Sequence, residues 1–191
     1  MRGNPMRVTK ADVIQTASDM ADKNGLSNVS LKAVAESLHI RTPSLYNHID
    51  SLESLLREVA HKGMKAMNER MVQAAIGKIG DTAIKGVGIE YLSYMIEHPG
   101  IYETIQWATW HGTEQTGEIF RNYLSLLKTL ILSCDFKQTD IDEILNLLTG
   151  VLHGYTTLQL RYAFHKPEEV KAALADALDT VLLGLHQKYD Q

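Results

Sequence analysis

Apolar residues recur along this chain at the three- and four-residue intervals of a helix almost from end to end, and no stretch alternates as a strand would. The clearest short pattern is residues 30–49, SLKAVAESLHIRTPSLYNHI. Leu31, Val34, Ala35 and Leu38 fall at i, i+3, i+4 and i+7, with Ser30 ahead of them to satisfy an orphan N–H. The period stops after Leu38 and restarts at Thr42-Pro43. That predicts a second helix over 43–49, with Thr42 as N-cap and Pro43 at the first position, where its missing N–H costs nothing. Leu45 and Ile49, i and i+4, are its inward pair. Two short helices joined by a tight turn make a helix-turn-helix.

The flanking pattern is helical as well. Thr9 caps a predicted helix whose buried face is Val13, Ile14, Ala17, Met20 and Ala21, stopped by Gly25. A long helix is expected from 51 to about 75, striped by Leu52, Leu55, Leu56, Val59, Gly63, Met64, Met67 and Met71. Residues 75–81, AIGKIGD, break it. Further helices are expected near 82–97, 101–110, 114–134, 138–164 and 167–188, separated by His98-Pro99-Gly100, the polar step around Gly112, Asp135-Phe136-Lys137 and Pro167.

Two of these late helices are apolar on more than one side. Ile141, Leu145, Leu148, Leu152, Tyr155 and Tyr162 form one stripe, and Ile144, Leu147, Val151 and Leu158 a second. The last helix has Val170, Leu174, Leu178, Val181, Leu182 and Leu185, with Ala172, Ala173, Ala175, Ala177 and Gly184 for close approach. They could serve the chain's own core, or pair with a second copy. The expected fold is all-α: a three-helix helix-turn-helix head, residues 1–60, then a larger helical body, 61–191. In that body 138–164 and 167–188 form a two-helix dimerisation element.

The outward side of 42–48 carries Thr42, Ser44, Tyr46, Asn47 and His48, with Arg41 just before and no carboxylate among them. Such a surface can approach phosphates without repulsion, offer donors to base edges and lay a ring against the sugar wall. It could equally be an ordinary helix surface. The run LKAVAESLHIRTPSLYNHIDSLESLL resembles the DNA-binding domain of TetR-family transcriptional regulators. The matching features are Ala35, Pro43 and Leu45-Tyr46-x-His48-Ile49, then a capped helix with Leu55-Leu56. The resemblance is close over residues 8–60 and looser beyond. It implies that Thr42, Pro43, Ser44 and Tyr46 meet base edges or the groove wall, with Arg41, Asn47, His48, Ser30 and Lys32 at phosphates and flanking bases. Two positions depart from the family pattern. His39 stands where the turn usually has glycine, and left-handed backbone suits His better than a β-branched residue. Leu52 stands where a phosphate-binding lysine is common. The body more faintly resembles a TetR subgroup named for a Trp-His-Gly motif, through Leu152-His153-Gly154-Tyr155, with Leu152 in place of the Trp. The literal Trp110-His111-Gly112 lies elsewhere and is read as coincidence.

Composition changes this picture little. Net charge is −4, so no global basic field advertises nucleic acid. Residues 1–67 hold nine Lys/Arg against seven Asp/Glu, and the remainder ten against sixteen. Local placement of Arg2, Arg7, Lys10, Lys32 and Arg41 must therefore attract phosphates, with residues 1–8 a candidate basic arm. A single cysteine, Cys134, excludes an internal disulfide and a thiolate-rich zinc site. No apolar run is long enough for a bilayer, so a soluble cytoplasmic protein without membrane partners is expected.

Tyr91, Tyr94, Trp107, Trp110, His111 and Tyr123 concentrate aromatics within about thirty residues, and His153 follows in the doubly apolar helix. Core packing explains each singly; as a set they suit a largely apolar site for a small-molecule effector. Two Glu-x-x-His pairs, Glu36/His39 and Glu58/His61, invite a di-iron reading, but Pro43 breaks the chain between them and the first helix is too short. No catalytic residue, metal or cofactor is expected. The expected function is that of a homodimeric, sequence-specific DNA-binding regulator, a repressor released from operator double-stranded DNA by its small-molecule effector. The alternative is a helical ligand-binding or interaction protein whose head no longer binds DNA.

Overall fold

The structure, a computed structural model, describes residues 8–134, 136–164 and 166–189. Among the described residues are nine α-helices and no strand: α1 Lys10–Asn24, α2 Leu31–Ser37, α3 Thr42–Leu45, α4 Leu52–Ala75, α5 Gly80–Glu97, α6 Pro99–His111, α7 Glu114–Leu132, α8 Ile141–Leu160 and α9 Val170–Tyr189. The all-α expectation holds. The expected basic arm, with Arg2 and Arg7, lies largely outside the described residues.

The chain packs as two compact units. One runs up to Met64 and takes in His98–Thr116; the other comprises Lys65–Glu97 and the chain from Gly117. The expected partition into 1–60 and 61–191 follows the helix-turn-helix pattern, whereas packing groups α6 with α1.

In the first unit α1 begins with a reciprocal capping box. Asp12 N–H donates to Thr9 Oγ1 (3.2 Å), and Thr9 N–H to Asp12 Oδ2 (2.8 Å). The helix stops at Gly25, whose φ of 82° suits a residue without Cβ. Val13, Ala17 and Ala21 are buried, together with Val34 and Ala35 of α2, Leu45 of α3 and Leu55, Leu56 and Val59 of α4. Gly100 lets α6 reach α1 so closely that any Cβ would collide with the Ala21 carbonyl and Asp22 amide. Asp22 fixes that crossing by accepting from Ile101 N–H (3.0 Å) and lying 2.8 Å from His98 Nδ1.

In the second unit α5 packs against both α8 and α9. Gly88 sits at the close approach, where a Cβ would stand 3.0 Å from Leu152 and Leu178 side-chain carbons. Leu92, Met95, Ile131, Ile144, Leu148, Leu174 and Leu182 fill the core, and Cys134 is buried beside them as a small apolar residue. His186 of α9 lies 2.9 and 3.1 Å from the two carboxylate oxygens of Asp81 on α5. Lys85 pairs with Asp179 at 2.6 Å.

Two late helices are shorter than their patterns predict. The helix expected over 138–164 ends at Leu160, where the backbone reverses through Tyr162 at φ 54°. Tyr162 therefore leaves the apolar stripe and is exposed. The helix expected from 167 starts at Val170, because Pro167–Glu169 forms a 3₁₀ turn.

Candidate functional site

Helix α2 is capped as expected, with Ala33 N–H donating to Ser30 Oγ at 3.2 Å. It ends through His39, whose φ of 55° is the left-handed backbone that a glycine would take without strain. Ile40 N–H then returns to the Ala35 carbonyl (3.0 Å), which closes the turn.

The second helix of the pair departs from expectation in one detail. The N-cap is Arg41, not Thr42, and no side chain caps the helix. Thr42 already has helical backbone, Pro43 is the second residue, and Ser44 N–H closes onto the Arg41 carbonyl (2.8 Å). The regular helix is only Thr42–Leu45, one turn rather than two. A looser turn continues it, with His48 and Ile49 N–H both donating to the Leu45 carbonyl (2.8 and 3.1 Å). Leu45 and Ile49 point inward and are buried, as their spacing requires.

What remains outside is a short polar face. Arg41, Pro43, Tyr46 and Asn47 are exposed, Tyr46 over 57% of its surface, while Thr42, Ser44 and His48 are half-buried. No acidic side chain lies between Arg41 and His48. Ser30 and Lys32 are exposed at the start of α2. Lys32 makes only a long contact with Glu36 (3.9 Å), with both side chains largely in solvent, so its charge stays available. Lys10 is different, held by Glu58 at 2.5 Å. Half-buried Leu52 opens α4, so no cation stands there.

The aromatic set divides between the two units. Trp107, Trp110 and His111, all on α6, belong to the first. There Trp107 and His111 stack face to face (centroids 4.5 Å apart), His111 Nδ1 lies 2.9 Å from the Trp107 carbonyl, and Trp110 is 88% exposed. An indole so exposed has no enclosing wall within its unit. Tyr91, Tyr94, Tyr123 and His153 belong to the second. Tyr94 lies under the Arg70 guanidinium (5.3 Å), which is itself bound to Glu90 and Glu97. Those carboxylates hold the Arg70 pKa above its usual value. An open groove of about 780 Å³ runs beside it, lined by Ala66, Glu69, Arg70, Gln73, Ala74 and Glu90.

Tyr91, Tyr123 and His153 do come together. Tyr91 Oη lies 3.3 Å from His153 Nδ1, the two rings meet edge-on (5.7 Å), and the Tyr91 and Tyr123 centroids are 6.3 Å apart. Burial lowers the His153 pKa and pushes the Tyr123 phenol up to about 12. Thr149 completes the group. It was not visible as a candidate, although its i, i+4 spacing to His153 puts both on one side of α8.

Comparison with known proteins gives this arrangement its context. A family described as "Tetracyclin repressor-like, C-terminal domain" matches residues 84–181, just over half of the chain. The chain belongs to the TetR family. The HTH-type transcriptional regulator YobS of Bacillus subtilis is 29% identical to it over 180 residues, covering 93% of each chain. Among solved structures, a Rhodococcus protein of unknown function superposes with a TM-score of 0.83 at 16% identity, covering 96% of this chain and 98% of that one. A TetR variant from Acinetobacter baumannii, solved with minocycline, gives 0.73 at 18% identity, covering 97% and 100%. The structural likenesses show that the TetR fold spans both units. This TetR-family chain is a DNA-binding transcriptional regulator.

Proposed function

We propose that residues 1–60 of this TetR-family regulator read operator DNA and that residues 61–191 dimerise and sense a small molecule that releases it. Thr42, Pro43, Ser44 and Tyr46 would enter the major groove, with Arg41, Asn47, His48, Ser30 and Lys32 along the phosphates. One observation carries this: the outward residues from Arg41 to His48 are exposed or half-buried, include no carboxylate, and sit over the buried anchors Leu45 and Ile49.

A dimer supplies the second reading head that two half-sites need. In the single chain Leu147 and Leu158 of α8 and Leu183 of α9 remain exposed, and Gly150, Gly154 and Gly184 have open space where a Cβ would be. Those small and apolar positions support a bundle of α8 and α9 from two copies. The effector would meet Tyr91, Tyr123 and His153. Release requires it to favour one spacing of the two heads, with α4 transmitting the change; a coupling of about 1–3 kcal/mol alters DNA affinity roughly five- to 150-fold. A regulator of this kind works in the cytoplasm, and among the described residues no helix is long and apolar enough to cross a membrane.

The test is a gel shift on the DNA flanking the regulator's own gene. Retardation should weaken steeply as salt rises, since counterions displaced from phosphates return. Tyr46→Ala should weaken binding about five- to 150-fold, the range of a 1–3 kcal/mol base contact, with an unchanged melting temperature because the ring is exposed. No retardation at low salt, or full binding by Tyr46→Ala, would overturn the reading.

A further inference from the structure

We propose that Ser54 is a positioning residue for the DNA-reading surface, holding Tyr46, Asn47 and His48 in place through the backbone amides of Asp50 and Ser51. This rests on the operator reading above and goes beyond it, since Ser54 is not among the residues that reading assigns to DNA.

The need for such a residue follows from how little helix the reading segment has. Regular helix spans only Thr42–Leu45. Tyr46, Asn47 and His48 follow in a looser turn, whose amides reach back to Ser44 (from Asn47, 3.3 Å) and to Leu45 (from His48 and Ile49, 2.8 and 3.1 Å). Leu45 and Ile49 anchor the turn from beneath. A single turn has too few internal hydrogen bonds to hold its own shape. Buried anchors set its depth, but the direction in which the chain leaves Ile49 must be fixed from outside.

Ser54 does this from the first turn of α4. Its Oγ accepts from Asp50 N–H (3.2 Å) and Ser51 N–H (3.0 Å) and donates to the Ser51 carbonyl (2.9 Å). Ser54 N–H donates in return to Ser51 Oγ (3.0 Å). The Ser51 contacts make a capping box for α4, with serine where glutamate is usual. The bond from Asp50 adds something a cap does not need. That amide directly follows Ile49, so it ties the end of the reading segment to α4. A hydroxyl has two lone pairs and one proton, and all three are used here.

Helix α4 is a firm base for that tie. Ser54, Glu58 and Lys62 fall at i, i+4 and i+8, along one side of the helix. Glu58 pairs with Lys10 at the start of α1 (2.5 Å), and Lys62 reaches Gln15 further along it. Leu55 and Val59 are buried beside this stripe. One side of α4 thus seats both α1 and the reading segment. Without the Ser54 hydroxyl the chain gains other exits from Ile49, and DNA must select the competent one at the expense of affinity.

The test compares the parent protein with Ser54→Ala and with Ser54→Thr, which keeps a hydroxyl able to bond the carbonyl three residues back. Gel shifts use a fragment flanking the regulator's own gene and a scrambled fragment of equal length and composition, well below all three melting temperatures. Ser54→Ala should weaken binding of the flanking fragment about five- to ten-fold, the range of one lost cap. Binding of the scrambled fragment, which depends on phosphate charge, should not change. Ser54→Thr should restore parental affinity. Amide hydrogen exchange, followed by NMR without DNA, should quicken at Asp50 and Ser51 in Ser54→Ala and stay slow in Ser54→Thr. A merely structural cap would lower the melting temperature and leave the affinity of the folded protein unchanged. That result, equal weakening of the two fragments, or unaltered exchange at Asp50 would overturn the proposal. So would a Ser54→Thr protein that keeps slow exchange yet binds as poorly as Ser54→Ala. Equal binding of both fragments by the parent would overturn the operator reading instead, and exchange at Asp50 and Ser51 would still decide whether Ser54 holds the segment.

Discussion

His39 shows how much a single backbone angle can set. Its φ of 55° ends α2 and aims the chain toward α3, at a cost that a residue without Cβ would avoid. His39→Gly relieves about 1–2 kcal/mol of left-handed strain and adds back roughly 0.5–1 kcal/mol of unfolded-chain entropy. The expected outcome is a small net gain, about 0.5–1 kcal/mol, read as a higher urea midpoint with an unchanged slope. The turn was legible in advance because the apolar period lapses between Leu38 and Pro43. Thr42 was less legible. A threonine before a proline reads as an N-cap, but here the preceding carbonyl, that of Arg41, closes the turn and Thr42 becomes the first helical residue. Thr149 could not be singled out at all: a hydroxyl on a mostly apolar helix becomes notable only when the fold brings it beside the Tyr123 phenol.

Among the elements, the start of α1 has a definite pH signature. Hydrogen bonds from Thr9 hold the Asp12 carboxyl pKa below its usual 3.8. A depressed folded-state value means stability that is present above the unfolded pKa and lost as pH falls through the folded one. Asp12→Asn should thus lower the melting temperature near neutrality, with the gap to the parent protein narrowing once pH drops below that range. The α1–α6 crossing is stricter. At Gly100 an added methyl meets backbone rather than a flexible side chain, so Gly100→Ala should destabilise by about 1–3 kcal/mol or more, measured by chemical denaturation. Helix α8 has two distinct faces. Thr149 and His153 face the aromatic cluster, while Leu147 and Leu158, with Gly150 and Gly154, stay open in the single chain. Leu183, 71% exposed on α9, belongs with that open set. Leu183→Glu should shift the sedimentation coefficient from dimer to monomer without unfolding the chain; a dimer that persists would place the contact elsewhere.

At the scale of the whole molecule, net charge misleads, since a −4 protein can bind DNA if the reading surface itself lacks carboxylates. Periodicity, caps and breakers determined the all-α class, the order of the helices and the helix-turn-helix, because each is set by contacts within a few residues. The inward placement of Leu45 and Ile49 follows from the same local rule. Long-range packing decided everything else: that α6 joins α1 in the first unit, and that the aromatic candidates fall into two groups. Nearness along the chain groups Trp107 and Trp110 with Tyr91, but which side chains share a site depends on how helices tens of residues apart meet. Spacing along one helix carries no information about that.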